Sequence, residues 1–155
     1  MGKIERFREI CADGRVIDDR TRLADIHKRS WKPCTVVRLE WRCGEQTVQI
    51  EHAYGLMAQV LADRRSLALL RSSPRGRFAD TLEFVDALGE TQLTLESPVP
   101  LDGKQAIGEF AWFESPRERA PRIVRVVFWA RSEDRYYLLD VNADSGFITD
   151  VFPLQ

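Results

Sequence analysis

Three oxygen-bearing side chains at alternate positions, Asp140, Asn142 and Asp144, stand just ahead of Gly146. A calcium loop collects its oxygen ligands by alternation of this kind. The EF-hand spacing also requires glycine at the sixth position and a bidentate glutamate at the twelfth, and this chain has Ser145 and Val151 there. The stretch therefore reads as a strand, a polar turn in which Asn142, Asp144 and Gly146 supply left-handed geometry, and a returning strand.

Cys11, Cys34 and Cys43, with His27 and His52, raise zinc binding or a Cys/His nucleophile as the next chemistry. An extended run from Cys34 to Cys43 separates its ends by about 30 Å at about 3.3 Å per residue, too far for one tetrahedral site. Only a Cys34, His52 and His27 trio survives that test, and core cysteines with a hydrogen-bonded histidine are the simpler reading. The chain contains no G-x-S-x-G elbow, P-loop, G-x-G-x-x-G or H-E-x-x-H. No catalytic residue, metal or cofactor is assigned. An odd, low number of cysteines reads as reduced thiols in a cytosol.

The 23 basic and 24 acidic residues give a net charge of -1, so no global field attracts a polyanion or an anionic membrane. Arg64, Arg65, Arg71, Arg75 and Arg77 crowd one stretch, which reads as a solvated helix end and loop. The N-terminal residues lack the apolar core of a signal peptide, and no run is long enough to span a bilayer. These features place the chain in the cytoplasm, away from membranes.

The elements that position these side chains form one α+β domain over residues 1–155, mostly antiparallel sheet packed by helices. Ile4, Phe7, Ile10 and Cys11 recur at helical spacing and predict a helix over Lys3–Ala12, and Leu23, Ile26 and His27 predict another over Arg20–Ser30. Val37, Leu39, Trp41 and Cys43 alternate with charged residues, as do Val48, Ile50 and His52 with polar ones. A turn at Gly44-Glu45 then pairs Trp41 with Val48, Leu39 with Ile50 and Val37 with His52. Met57, Val60, Leu61, Leu67 and Leu70 predict the longest helix, over 53–71, packed on the sheet. The next segment admits a helix, with Asp80 and Glu83 as a capping box and Gly89 as C-cap, or a hairpin turning at Leu88-Gly89 that pairs Phe84 with Leu93 and Leu82 with Leu95, and the matching cross-strand faces favour the hairpin. From Ala106 onward the β-branched and aromatic runs read as a meander, with Ile123–Ala130 its central strand.

With no motif to carry catalysis, the expected role is a protein-binding module of the inhibitor or immunity type that blocks a partner protein, and not an enzyme. Its interface residues would be Arg38, Glu40, Arg42 and Glu51 on the polar hairpin face, Trp31 at a helix end, and Arg75 and Arg77 in the arginine-rich loop. The competing role is a small-molecule-binding protein or enzyme with a pocket between sheet and helix, lined by Trp112, Phe128 and Tyr137 and using His52. Nucleic acid ranks last as a ligand.

Overall fold

In the computed structural model, residues 2–18, 21, 34–115 and 120–154 are described, and among them are fourteen β-strands and no helix. In chain order these are β1 (Glu5–Cys11), β2 (Val16–Ile17), β3 (Val36–Cys43), β4 (Gln46–Glu51), β5 (Leu56–Val60), β6 (Ser66–Ser72) and β7 (Ala79–Asp86). There follow β8 (Thr91–Glu96), β9 (Val99–Leu101), β10 (Lys104–Ala106), β11 (Gly108–Glu114), β12 (Ile123–Ala130), β13 (Arg135–Asn142) and β14 (Ile148–Pro153). A four-stranded sheet runs β2-β1-β3-β4, and a larger one runs β14-β13-β12-β11-β7-β6-β5 with β8 beside β7. Every pairing is antiparallel.

The expected α+β class is thereby corrected to all-β across the described residues. The helix expected over Lys3–Ala12 is β1. A register shift between Glu5 and Arg8 inserts one extra residue into β1 relative to β3, and a second, between Ile10 and Cys11, inserts one into β3. The first bulge resets the period of two, so Ile4 and Phe7 both reach the inner core three residues apart, while Ile10 pairs with Arg38 on the other face and completes a spacing that imitates a helix. The helix expected over 53–71 is the β5–β6 hairpin. There the apolar run of β6 is continuous because both its faces are covered, and a doubly buried strand has no period to distinguish it from a buried helix. The Arg20–Ser30 helix falls, apart from Thr21, outside the described residues.

The hairpin expectations agree with the observed register. Trp41 pairs with Val48 and Leu39 with Ile50, while the His52 N–H donates to the Val37 carbonyl at 2.9 Å. Phe84 pairs with Leu93 and Leu82 with Leu95. The C-terminal strands form the expected meander, and β12 pairs along all of β13. Arg125, the one charge in β12, stands opposite Asp140, which accepts its Nε–H at 2.9 Å.

Two apolar cores share β6. Leu67 and Leu69, both fully buried, point at the small sheet and meet Leu39, Trp41, Val48 and Ile50. Trp41 lies beneath this layer and satisfies its indole N–H on the Ala87 carbonyl at 2.7 Å. Ala68 and Leu70 point the other way, into the interior of the curled large sheet with Leu82, Phe84, Phe110, Val126, Phe128 and Leu139. Phe110 and Phe128 meet edge-to-face there, with centroids 5.2 Å apart.

A disulfide joins Cys11 on β1 to Cys34 just ahead of β3, with Cα atoms 5.7 Å apart. This corrects the expectation of reduced thiols and removes the cysteine argument for a cytosolic home, since disulfides persist mainly in oxidising compartments. Cys43 is free and buried in the core between the sheets.

Two outcomes test this architecture. Leu69→Ala and Leu70→Ala, on opposite faces of β6, should each lower stability by about 2–5 kcal/mol in urea unfolding; a cost near zero at either position contradicts a doubly covered strand. Reduction of the disulfide, which spans 23 residues, should lower stability by about 3 kcal/mol on the chain-entropy account. Thermal melts with and without dithiothreitol read this directly.

Candidate protein-binding face

Because Leu39, Trp41 and Cys43 of β3 point inward, alternation turns Arg38, Glu40 and Arg42 outward, and on β4 it turns Thr47, Gln49 and Glu51 outward beside them. Four of the expected interface residues, Arg38, Glu40, Arg42 and Glu51, therefore share one face of the small sheet. β1 adds Arg8, directly opposite Glu40.

Glu40 is the hub of this face. Its carboxylate accepts hydrogen bonds from Arg8 Nη2 and, at 3.0 Å, from Gln49 Nε2, while Arg38 Nε lies 3.1 Å from Oε1. Packed among these donors, Glu40 is only 8% exposed despite facing outward. Arg38 also reaches Glu51 at 3.7 Å. Arg42 stands opposite Glu5 and Thr47 in the ladder but forms no ion pair with a described residue.

Two concavities flank the hub. One, of about 260 Å³, is lined by Arg6, Arg8, Glu40, Trp41, Arg42 and Thr47. It sits at the first β1 bulge, where Arg6 adopts a left-handed φ of 53°. A non-glycine residue in that conformation costs about 1–2 kcal/mol, a strain that clusters at functional sites. The other, of about 380 Å³, is lined by residues that include Ile10, Cys11, Arg38, Glu51 and His52. Two of its side chains make structural bonds. Cys11 is in the disulfide. His52 Nε2 lies 2.8 Å from the Ser72 carbonyl, and because a carbonyl can only accept, that nitrogen carries the hydrogen.

The remaining candidates lie elsewhere. Arg77 stacks over the rings of Phe78 and Trp129 at 5.6 and 5.2 Å, and Arg75 is exposed in the same loop. The five arginines read as one cluster are split along β6: Arg64 and Arg65 precede the strand, Arg64 donating to the Ile4 carbonyl at 2.7 Å, Arg71 donates to Glu83 at 2.8 Å, and Arg75 and Arg77 lie beyond the far end of the strand. Trp31 lies outside the described residues. The pocket expected between sheet and helix has no counterpart, because that helix is a hairpin. Phe128 and Tyr137 pack on the large-sheet core, whereas Trp112 lies on the outer face with Phe78, Trp129 and Tyr136. Both outer indoles are satisfied, Trp112 by Glu114 at 3.0 Å and Trp129 by Asp134 at 2.8 Å.

The oxygen-rich turn is also engaged. Asn142 Oδ1 accepts the backbone N–H groups of Asp144 and Ser145 at 2.8 and 3.1 Å. Arg122 donates to Asp144 at 2.7 Å, which holds that carboxyl below the usual carboxylate range. Among the described residues no group of three or more His, Cys, Asp or Glu is placed to hold a metal ion. No described helix is long and apolar enough to cross a membrane.

Sequence reasoning missed Arg6 and Arg8, since β1 read as a helix. A pattern search that tolerates one inserted residue would find them.

No protein-family model and no curated protein matches the chain. A solved structure does. The chain is similar to one in "Structure of Tne2 in complex with Tni2", with a TM-score of 0.88 and 28% identity over 98% of this chain and 99% of that one. That neighbour is part of a complex of two proteins.

Glu9, on β1 opposite the inward-facing Leu39, is pushed up from the ordinary glutamate range by burial. A raised carboxyl pKa stabilises the fold below the unfolded value, near 4.3. That contribution fades as pH rises through the folded value. Glu9→Gln should therefore raise the melting temperature at pH 7 and leave it nearly unchanged at pH 3.5, measured by thermal denaturation at both pH values.

Proposed function

We propose that this chain is a non-catalytic protein-binding module of the inhibitor or immunity type, which docks a partner protein on the outer face of the β2-β1-β3-β4 sheet. The observation that carries this reading is the convergence of Arg8, Arg38, Glu40, Arg42 and Glu51 on one face with a concavity on each side. Charges of both signs arranged on a shaped surface favour one partner and reject others through unpaired or like-charged contacts. The neighbour's presence in a two-protein complex supports the same reading. So does the disulfide at Cys11, which leaves the larger concavity without a free thiol nucleophile.

The aromatic cluster of Phe78, Trp112, Trp129 and Tyr136 offers a second docking surface, because tryptophan, tyrosine and arginine dominate binding hot spots. Its rings pack chiefly on one another and its indole donors are engaged, so it ranks behind the charged face.

Tagged capture from the native lysate, with nuclease present and at moderate salt, should retain one stoichiometric protein. A variant carrying Arg38→Glu and Glu51→Lys should lose that protein by about tenfold or more, while Trp129→Ala should keep it. Equal capture by the charge-reversed variant, or no stoichiometric protein with the wild type, overturns the reading.

A further inference from the structure

The concavity at the β1 bulge is unbalanced in charge. Arg6, Arg8 and Arg42 line it against Glu40 alone. Arg8 is committed to Glu40, whereas Arg6 and Arg42 make no ion pair with a described residue. Two guanidinium groups without an ion-paired carboxylate thus face one small cleft, whose lining also includes Trp41 and Thr47. Guanidinium forks match a carboxylate in bidentate geometry, and such charge-assisted bonds are about twice as strong as neutral ones.

Size narrows the ligand. A volume of about 260 Å³ falls below the usual range for small-molecule sites, about 300–1,000 Å³, but accommodates one amino-acid side chain. Strain adds a second, independent indication. Arg6 keeps a left-handed backbone with φ 53°, where glycine would be relaxed, and its side chain lines the cleft.

Resting on the reading of the small sheet as a docking face, we infer that this cleft receives an aspartate or glutamate side chain of the partner protein, clamped between Arg6 and Arg42. Arg8, held by Glu40, sets the wall against which the incoming carboxylate is placed. The partner therefore presents an acidic side chain to this end of the face.

The test uses the full chain and two probes. A six-residue aspartate peptide is titrated into the isotope-labelled protein while the Nε–H signals of the arginines are followed; a six-residue serine peptide serves as control. Saturable shifts at Arg6 and Arg42 with the aspartate peptide alone support the inference. Absence of such shifts, or equal shifts with the serine peptide, overturns it.

Arg6→Gly adds a readout that misfolding cannot imitate. Relief of the left-handed backbone should raise the melting temperature, while aspartate-peptide affinity falls by about tenfold or more. A stabler variant with unchanged affinity also overturns the inference. The docking-face reading fails separately, when lysate capture with the wild-type chain retains no protein; the peptide titration decides the cleft in either case.

Discussion

The double burial of β6 is the constraint on which the rest of the structure depends. Leu67 and Leu69 hold the small sheet on one side, and Ala68 and Leu70 close the curled large sheet on the other. A strand in that position can carry no charge over its covered length and must keep its neighbours in register, because a one-residue slip would exchange the two faces. The strand's start is tied down by polar contacts. Arg122 donates to Ser66 at 2.9 Å and pairs with Asp63 at 3.1 Å and Asp144 at 2.7 Å, joining the β5–β6 turn to the β13–β14 turn. The position of the small sheet, and with it the outward charged face, follows from this packing.

On that face the electrostatics form a graded set. Glu40 sits at the centre, low in exposure and surrounded by Arg8, Arg38 and Gln49. A partly buried carboxylate is tolerable only with donors of this kind around it. Towards the edges the pairing loosens: Glu51 is two-thirds exposed on its side chain and only loosely joined to Arg38, and Arg42 has no ionic partner among the described residues. A satisfied centre keeps the sheet rigid. The free charges lie where a partner can neutralise them, which suits steering and selectivity more than bulk affinity.

The local part of this arrangement was legible in the sequence. Around Gly44-Glu45 the alternation and the turn residues agree, so register, inner face and outer charges could all be read before any coordinates. The same holds for Phe84 with Leu93 and for the meander through β12. What could not be read depended on neighbours far along the chain. The apolar run of β6 reveals burial but not whether it is helix or strand, because the two sheets that cover it come from distant segments. In β1 the bulge between Glu5 and Arg8 disrupts the alternation that would have marked a strand, hiding Arg6 and Arg8. The pairing of Cys11 with Cys34 likewise depends on β1 lying beside β3, which no spacing rule supplies.

The central claim is that the outer face of the small sheet, and not the aromatic face of the meander, meets the partner. Chemical-shift mapping of the labelled chain with its captured partner tests this most directly, since the indole N–H groups of Trp112 and Trp129 give isolated signals on the competing face. The account requires the perturbed residues to concentrate on β1, β3 and β4 around Arg8, Arg38, Glu40 and Arg42, with both indole signals unmoved. Shifts centred on Phe78, Trp112, Trp129 and Tyr136, with β1, β3 and β4 silent, would contradict it.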